Sequence, residues 1–485
     1  MSSVKSQLVS GVIYNAFAKY AGMLVNLVVA GILARILSSD DFGIVAIATV
    51  IITFFGIFSD FGIQPAIIQY KDLTKKDLSN IFSFTTWSGV LLAIVFFFLA
   101  GLISRYYESG SLKIICQILS VNLLFSTLNI VPNALFYKDK LFRYIAIRSV
   151  VVQFIGGTAS VIAALTGLGI YSLLINPIFS SVTLFLINYI KYPQKLRVTF
   201  GIVSIKRIFS FSAYQFLFNF INYFSRNLDK LIVGKFIGMS PLGFYEKSYR
   251  LMMLPLQNIT HVVSPVMHPV FSDLQADFKS MASSYEKVIR FLAFLGLPLS
   301  VLLYFSAKEI TFIIFGSGWL PSVRSFEILA LSVGVQIILS TSGSIFQATH
   351  STRIMFLSGL LSSVLTVICL IMAVLMFGTI EAVAWSLTIT FTVNFFQAYL
   401  LLYYKVFKRN ISFLLKQLYS PVILTVILVL ISVLLVNTIA INNDIISLIV
   451  KSVVIASVSL AYIHFSGEIN LKTKINEILR SKKQK

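Results

Sequence analysis

The chain has 485 residues, of which 57% are hydrophobic and only 12% are charged, and its mean hydropathy is +0.90. Because soluble domains carry about a quarter of charged residues, this composition excludes a soluble enzyme or binding module and indicates a polytopic membrane protein. The two cysteines, Cys116 and Cys369, support neither a disulfide framework nor a metal cluster. The net charge of +21 is interpreted as Lys and Arg in cytoplasmic loops, not as a nucleic-acid footprint.

The apolar stretches predict an all-α membrane protein with about 14 transmembrane helices. The N-terminal stretch is interpreted as a first span and not as a cleaved signal peptide, because a second stretch at 215–235 repeats its pattern. The predicted spans, in chain order, are about 9–33, 42–66, 80–103, 112–136, 142–166, 170–190, 208–234, 243–268, 287–306, 325–349, 354–377, 381–404, 419–438 and 445–465.

A fixed offset of 200 residues relates the first two spans to spans seven and eight. Phe42-Gly43 aligns with Leu242-Gly243, and Pro65 with Pro265. The offset skips an even number of spans, so the two copies keep one orientation and predict parallel repeats about an axis along the membrane normal. The predicted domains are an N-lobe of six spans (1–192), a cytoplasmic linker (193–207), a C-lobe of six spans (208–405), an extra helix pair (406–466) and a basic cytoplasmic tail (467–485).

Loop charge predicts the orientation in the membrane. Lys and Arg are concentrated in alternate loops, beginning with the N-terminus, which places both termini in the cytoplasm. The outward loops are short, and the longest, around 307–324, is too small for an extracytoplasmic domain. A membrane polysaccharide polymerase or ligase, which would need such a loop, is therefore a weaker interpretation.

The stretch 209–235 is apolar enough to cross a membrane but carries polar residues at steps of four, three, four and three. These steps place them on one helical face. A charge at mid-bilayer costs at least roughly 2.5–3.5 kcal/mol, so this face must meet protein or a water-filled cavity. The stripe consists of Gln215, Asn219, Asn222, Arg226 and Asp229 with Lys230 beside it, and its counterpart in the first span consists of Asn15, Lys19, Gly22 and Asn26.

The cations within the spans are the candidate binding residues for an anionic substrate. Arg pairs bidentately with phosphate, whereas Lys acts as a point charge. Asp229 is interpreted either as part of a structural ion pair with its neighbours or as a switch partner. For the asparagines, the alternative interpretation is contacts between helices. For Arg148 and Arg250, the alternative interpretation is a side chain that snorkels toward the membrane interface. The candidate cations are Lys19, Arg148, Arg226, Lys230 and Arg250.

Two further residues are candidates for coupling transport to an ion. Asp60 lies in the second span, where pairing with Arg148 is the alternative, and His261 lies in the eighth span. His261 and His268 are two helical turns apart, too far to chelate one metal ion. We expect no metal, no cofactor and no catalytic residue. The sequence also lacks a phosphate-binding loop of the G-x-x-x-x-G-K-[ST] type.

Several segments resemble polysaccharide flippases, the Wzx-like branch of the multidrug/oligosaccharidyl-lipid/polysaccharide (MOP) exporter superfamily. Ala34–Gln69 (ARILSSDDFGIVAIATVIITFFGIFSDFGIQPAIIQ) resembles the first-hairpin signature. Pro132–Arg143 (PNALFYKDKLFR) resembles the inner loop after the fourth span, although Tyr137 or Lys138 stands where relatives often carry Arg. The remaining matching segments are Asn227–Gln275, similar to spans seven and eight, and Phe315–Leu331, similar to the loop before span ten.

The resemblance implies a transporter of the bacterial inner membrane and not an enzyme. Its implied substrate is an undecaprenyl-diphosphate-linked oligosaccharide, moved by alternating access for O-antigen, capsule or exopolysaccharide assembly. The implied partners are membrane lipids and the polysaccharide polymerase and export machinery, without nucleic acid, and we expect a monomer. The alternative is a multidrug or cation antiporter of the same fold, which would favour acidic cavity residues. The in-span cations outnumber the acids here.

Overall fold

A computed structural model shows a helical protein whose helices match the apolar stretches of the sequence. The structure describes residues 4–60, 62–198, 201, 223, 226–272, 277–438 and 441–467, without the side chains of 4–13, 15, 261–262, 264–266 and 268–270. The described chain divides into two compact units. The first contains Met1–Glu246 and Ile314–Gly318, and the second contains Lys247–Ile313 and Trp319–Lys485.

Along residues 4–191 of the first unit, the helices follow one another with short connections. Two of the helix starts, at Ser39 and Lys75, are set by side-chain capping. Thr74 accepts a hydrogen bond from Asp77 N at 3.2 Å, and the Asp77 carboxylate accepts one from Thr74 N at 3.0 Å, which satisfies two free N–H groups of the helix end. Ser38 and Asp41 make the same reciprocal pair before the second helix. The helices are α1 (Val4–Ile36), α2 (Ser39–Asp60), α3 (Ile63–Gln69), α4 (Lys75–Tyr106), α5 (Gly110–Leu128), α6 (Ile130–Lys138), α7 (Phe142–Leu165) and α8 (Ser172–Lys191), followed by α9 (Met239–Ser272), which continues into the second unit.

Two predicted spans of the first unit are broken. Gly62 has a φ of 72°, in the left-handed region that favours glycine, and it separates α2 from α3. Asn129 separates α5 from α6. The short segments α3 and α6 pack against each other through a core of buried aliphatic residues that includes Ile67, Val131 and Ala134. Despite these interruptions, Ser39–Gln69 and Gly110–Lys138 each remain one candidate span, as the sequence predicted.

The second unit contains the remaining helices. Asp277 caps the first of them by accepting hydrogen bonds from Lys279 N and Ser280 N, each at 3.0 Å. The predicted tenth span is a bent pair of helical segments with an angle of 45° between them. The helices are α10 (Phe278–Phe305), α11 (Ala307–Ile314), which ends at the boundary between the units, α12 (Leu320–Ala330), α13 (Val333–Leu339), α14 (Ser342–Ala348), α15 (Thr352–Phe377), α16 (Ile380–Leu401), α17 (Ser412–Thr438) and α18 (Asp444–Phe465).

The prediction of an all-α polytopic membrane protein is confirmed. Within the described residues, 11 helices are long and apolar enough to cross a membrane, or 12 with the bent pair counted as one span. Each coincides with a predicted span. Most of the predicted seventh span, 208–234, lies outside the described residues, and the eighth corresponds to α9. The number fourteen therefore stays a prediction.

The start of α2 crosses the start of α9 at a reciprocal glycine contact within the first unit. A Cβ atom on Gly43 would lie 1.8 Å from the Met239 carbonyl oxygen, and one on Gly243 would lie 1.9 Å from the Ser39 carbonyl oxygen. The Ser39 and Ser240 hydroxyls share a hydrogen bond of 2.6 Å beside them. Only glycine permits this approach of two backbones. The two glycines are the pair that the 200-residue offset aligns.

Candidate functional site

A cavity of about 470 Å³ lies in the first unit, between α2, α5 and the helical residues around 226. It brings together Arg226 and Asp60, which the sequence placed in the binding stripe and in the coupling role respectively. Its other lining residues mix amides and hydroxyls with apolar groups: Ile52, Thr53, Gly56, Ile57, Asn122, Leu123, Ser126, Tyr223 and Asn227.

The two charged residues of the cavity differ in how they are held. Asp60 is half-buried, and its Oδ1 accepts a hydrogen bond from Gln64 N at 3.4 Å across the break between α2 and α3. Arg226 is exposed and, within the described part of the chain, makes no ion pair. A guanidinium without a fixed partner is available to bind a phosphate or carboxylate bidentately.

The amides of the cavity are fixed by the backbone around them. Asn122 Nδ2 donates to the Pro177 carbonyl oxygen at 2.7 Å, and Asn227 Nδ2 donates to the Tyr223 carbonyl oxygen at 3.0 Å. The Tyr223 hydroxyl donates to the Val50 carbonyl oxygen. These contacts hold the amides in place, so that the cavity presents oriented hydrogen-bonding groups beside the exposed Arg226.

Asp229 and Lys230 have partners that the sequence analysis did not identify. Asp229 is buried, and its Oδ2 accepts a hydrogen bond from the Tyr245 hydroxyl at 2.5 Å. Lys230 Nζ lies 2.7 Å from Glu246 Oε2. Both partners lie on α9. Glu246 could have been found by the same criterion as the other residues, because it is an acid within a predicted span.

Arg148 is buried in the first unit, at 7% exposure, and is not a snorkelling side chain. Its Nη2 donates to Asn133 Oδ1 at 2.7 Å, and its Cζ lies 4.3 Å from the centroid of the Phe136 ring. Asn133 Nδ2 in turn donates to Gln64 Oε1 at 3.4 Å. Arg148 is thus linked to the Asp60 region through two amides and makes no direct ion pair with Asp60 among those found in the described residues.

The structure does not bring all candidates to one place. Lys19 and Asn26 are half-buried on α1, and Arg250 is half-buried on α9 in the second unit. None of them lines the cavity that holds Arg226. The other candidates lie outside the residues or side chains that the structure describes: Asn15, Gln215, Asn219, Asn222 and His261.

The second unit also contains buried charged side chains that are not among the candidates predicted from the sequence. Lys247 is 1% exposed, and its Nζ lies 5.4 Å from the Trp319 ring centroid. Lys451 Nζ donates to Glu309 and, at 2.7 Å, to the Phe305 carbonyl oxygen. Both lysines lie within predicted spans, which is the signal that would have identified them.

The helical fold is similar to that of known transporters. A structure described as the lipid II flippase MurJ in an inward closed conformation aligns with a TM-score of 0.74 at 17% sequence identity, covering 94% of this chain and 98% of that chain. An inward-facing multidrug resistance MATE family transporter of the MOP superfamily aligns with a TM-score of 0.64 at 12% identity, covering 82% and 98%. The protein is therefore a multi-pass membrane protein whose fold is similar to that of these two transporters.

The sequence matches the family described as "Polysaccharide biosynthesis protein" over residues 32–324, more than half of the chain, and the chain belongs to that family. It is 24% identical over 435 residues to the teichuronic acid biosynthesis protein TuaB of Bacillus subtilis, and the alignment covers 89% of each chain. It is 23% identical over 366 residues to the lipopolysaccharide biosynthesis protein WzxC of Escherichia coli, which covers 73% of this chain and 72% of WzxC. The family resemblance inferred from the sequence is confirmed.

Proposed function

We propose that this protein is a flippase that moves an undecaprenyl-diphosphate-linked oligosaccharide from the inner to the outer leaflet of the bacterial inner membrane. The observation that supports it best is the cavity that combines exposed Arg226 with oriented amides and hydroxyls, in a member of a polysaccharide biosynthesis family. The product serves assembly of a surface polysaccharide, together with a polymerase and export machinery.

The cavity suits both parts of such a substrate. The diphosphate carries negative charge that must cross the membrane interior. Arg226 supplies a cation, and its attraction for the phosphate increases as water is excluded and the local dielectric constant falls. The amides of Asn122 and Asn227, together with Thr53 and Ser126, are the side-chain types that hydrogen-bond sugar hydroxyls. Lys19, Lys230, Arg148 and Arg250 are further cations on the proposed path.

Alternating access is the proposed mechanism, and the crossing of α2 with α9 supports it. In the orientation predicted from loop charge, this crossing lies on the outer side of the membrane. The backbones at Gly43 and Gly243 approach closely, and we interpret this contact as a closed state of that side. Opening it would separate Ser39 from Ser240.

We also propose that both termini are cytoplasmic, that two parallel six-helix lobes form the pathway, and that Asp60 and His261 couple transport to an ion.

A disulfide across the crossing tests the mechanism. In a variant with Cys116 and Cys369 replaced, Ser39→Cys with Ser240→Cys would form a cross-link, because the two hydroxyls are 2.6 Å apart. We expect transport to stop on oxidation and to return on reduction. Unchanged transport by the fully cross-linked protein would contradict alternating access through this contact.

Replacement of Lys19 and Arg226, the cations of the two matching polar stripes, tests the function. We expect Lys19→Ala and Arg226→Ala each to insert normally but to abolish surface polysaccharide in a strain that lacks the gene, with accumulation of the inner-leaflet lipid-linked repeat unit. Lys19→Arg and Arg226→Lys then show whether charge alone suffices. Exposed Lys287 offers a control, and Lys287→Ala should complement fully. Full complementation by both alanine variants would overturn the cationic path.

A multidrug or cation antiporter is the second candidate, favoured by the carboxylate of Asp60 in the cavity and by the MATE-like fold. Asp60→Asn separates the two. An antiporter for cations would lose drug resistance with this change, whereas a flippase for a diphosphate would lose polysaccharide with Arg226→Ala and confer no drug resistance in either form.

A further inference from the structure

A second cavity in the first unit, of about 440 Å³, lies where the first part of α1 passes the turn between α6 and α7. We refer to it as the Lys140 groove. Loop charge places this turn at the cytoplasmic face of the membrane. The groove is lined by Tyr14, Asp139, Lys140, Leu141, Phe142, Arg143, Tyr144 and Ile147.

Positive charge surrounds the groove. Lys140 and Arg143 are exposed lining residues. Behind them, Lys191 Nζ lies 5.4 Å and Arg148 Cζ 6.0 Å from the centroid of the Tyr144 ring. Asp139 is the acid of the lining, and its carboxylate already accepts a hydrogen bond from the Tyr192 hydroxyl. The groove is therefore suited to a negatively charged ligand.

Arg148 strengthens this assignment because it is not fully satisfied. It is 7% exposed, yet its Nε and Nη1 atoms have no hydrogen-bond partner among the described residues. A buried guanidinium that donates only through Nη2 to Asn133 retains most of its positive potential. That potential acts on the stacked rings of Phe136 and Tyr144, whose centroids are 5.2 Å apart.

An apolar track leads away from the groove along α7. Ile147, Val151 and Phe154 are spaced by four and three residues, so they share one helical face. All three are exposed, at 48%, 47% and 60%. A cationic groove at the membrane surface, continued by an apolar track toward the membrane interior, matches a molecule with an anionic head and acyl chains.

We propose that the Lys140 groove binds an anionic phospholipid of the inner leaflet, with its phosphate between Lys140 and Arg143 and an acyl chain along Ile147, Val151 and Phe154. The two tyrosine hydroxyls suit glycerol and phosphate oxygens. A diphosphate-linked oligosaccharide fits less well, because the described lining contains no Asn, Gln, Ser or Thr to bind sugar. In this respect the groove differs from the cavity of Arg226. The site does not depend on the proposed transport function.

Lipid binding to the full-length protein tests the site. The protein would be reconstituted in nanodiscs of mixed phosphatidylglycerol and phosphatidylcholine. After its release from the nanodiscs, the lipids that it retains would be counted by native mass spectrometry. The test variant is Lys140→Asn with Arg143→Gln. Asn tolerates the left-handed φ of 57° at position 140. We expect the preference for phosphatidylglycerol to fall by roughly tenfold, since each Lys or Arg near the surface contributes to anionic lipid affinity.

The matched control is Lys75→Gln with Lys76→Gln, which removes two exposed charges from the same predicted side of the same unit. This control should retain the preference. An equal loss in both variants, or no loss in the groove variant, would overturn the proposal. Nanodiscs that contain undecaprenyl diphosphate provide the second arm. A groove variant that loses this lipid but keeps phosphatidylglycerol would also overturn it, and would assign the groove to the substrate.

Discussion

Charged side chains are treated differently in two regions of this protein. In the second unit, Glu309 and Lys451 are both about 10% exposed and fully engaged, since Ser447 Oγ also donates to Glu309 Oε1 at 2.7 Å. In the first unit, Arg226 lines a cavity with no ion pair in the described part of the chain. Charged side chains thus have two different roles in the two units. A satisfied pair stabilises the helix packing, and an unsatisfied cation is available to a ligand.

Breaking the buried pair gives the largest expected effect on stability. Lys451→Ala leaves the Glu309 carboxylate buried without its cation, and removal of one partner of a buried pair costs about 3–5 kcal/mol. We expect a large drop in the thermal unfolding midpoint of the purified protein, and no such drop for Arg226→Ala. Lys451→Met with Glu309→Gln, which removes both charges, should recover part of the loss. A similar drop for Arg226→Ala would erase the distinction between the two regions.

The pair of Lys230 with Glu246 should fall between these extremes. Their side chains are 15% and 25% exposed, so water screens the interaction in part, and we expect Glu246→Gln to cost about 1–2 kcal/mol. Unfolding midpoints of Glu246→Gln, Lys230→Met and the double variant give the coupling between them. If the pair also serves transport, Glu246→Gln at matched levels would reduce surface polysaccharide although the protein stays folded. A purely structural pair would leave it unchanged.

The smallest effect is expected at the exposed pair of Lys235 with Glu108, 2.9 Å apart. The hydrogen bond from Lys235, and then its charge, lower the pKa of the Glu108 carboxyl below its ordinary value. Such a group stabilises the folded state above its unfolded pKa, and the contribution is lost as the pH falls through the folded pKa. The difference in unfolding midpoint between the wild type and Glu108→Gln should therefore be small at neutral pH and vanish in acid. A difference that grows in acid would contradict this sign.

The sequence predicted the spans well because apolar length and short loops carry that information locally. The predicted span 142–166 is the helix Phe142–Leu165, and the family resemblance came from ordered local motifs. The breaks at Gly62 and Asn129 were missed, since neither residue alone stops a helix in an apolar run. The partners of Asp229 and Lys230 were missed for another reason. Side-chain pairing between helices depends on rotation and register, which helical periodicity leaves open.

The candidate site was predicted in part. Arg226 and Asp60 were identified as charges within spans and line one cavity. The contribution of Asn122 and Asn227 could not be predicted, because amides in spans most often join helices and only tertiary structure shows which of them face open space. Whether Lys19 belongs to the same path stays a prediction.

The reciprocal contact of Gly43 and Gly243 has a consequence for the history of the duplicated sequence. Each glycine makes room for a carbonyl group of the other repeat, so a larger residue in either copy would push the two helices apart. A second substitution in the other copy would add a clash and relieve none. We therefore expect a larger residue to be excluded at both positions, which would account for glycine standing in both of the segments that the 200-residue offset aligns.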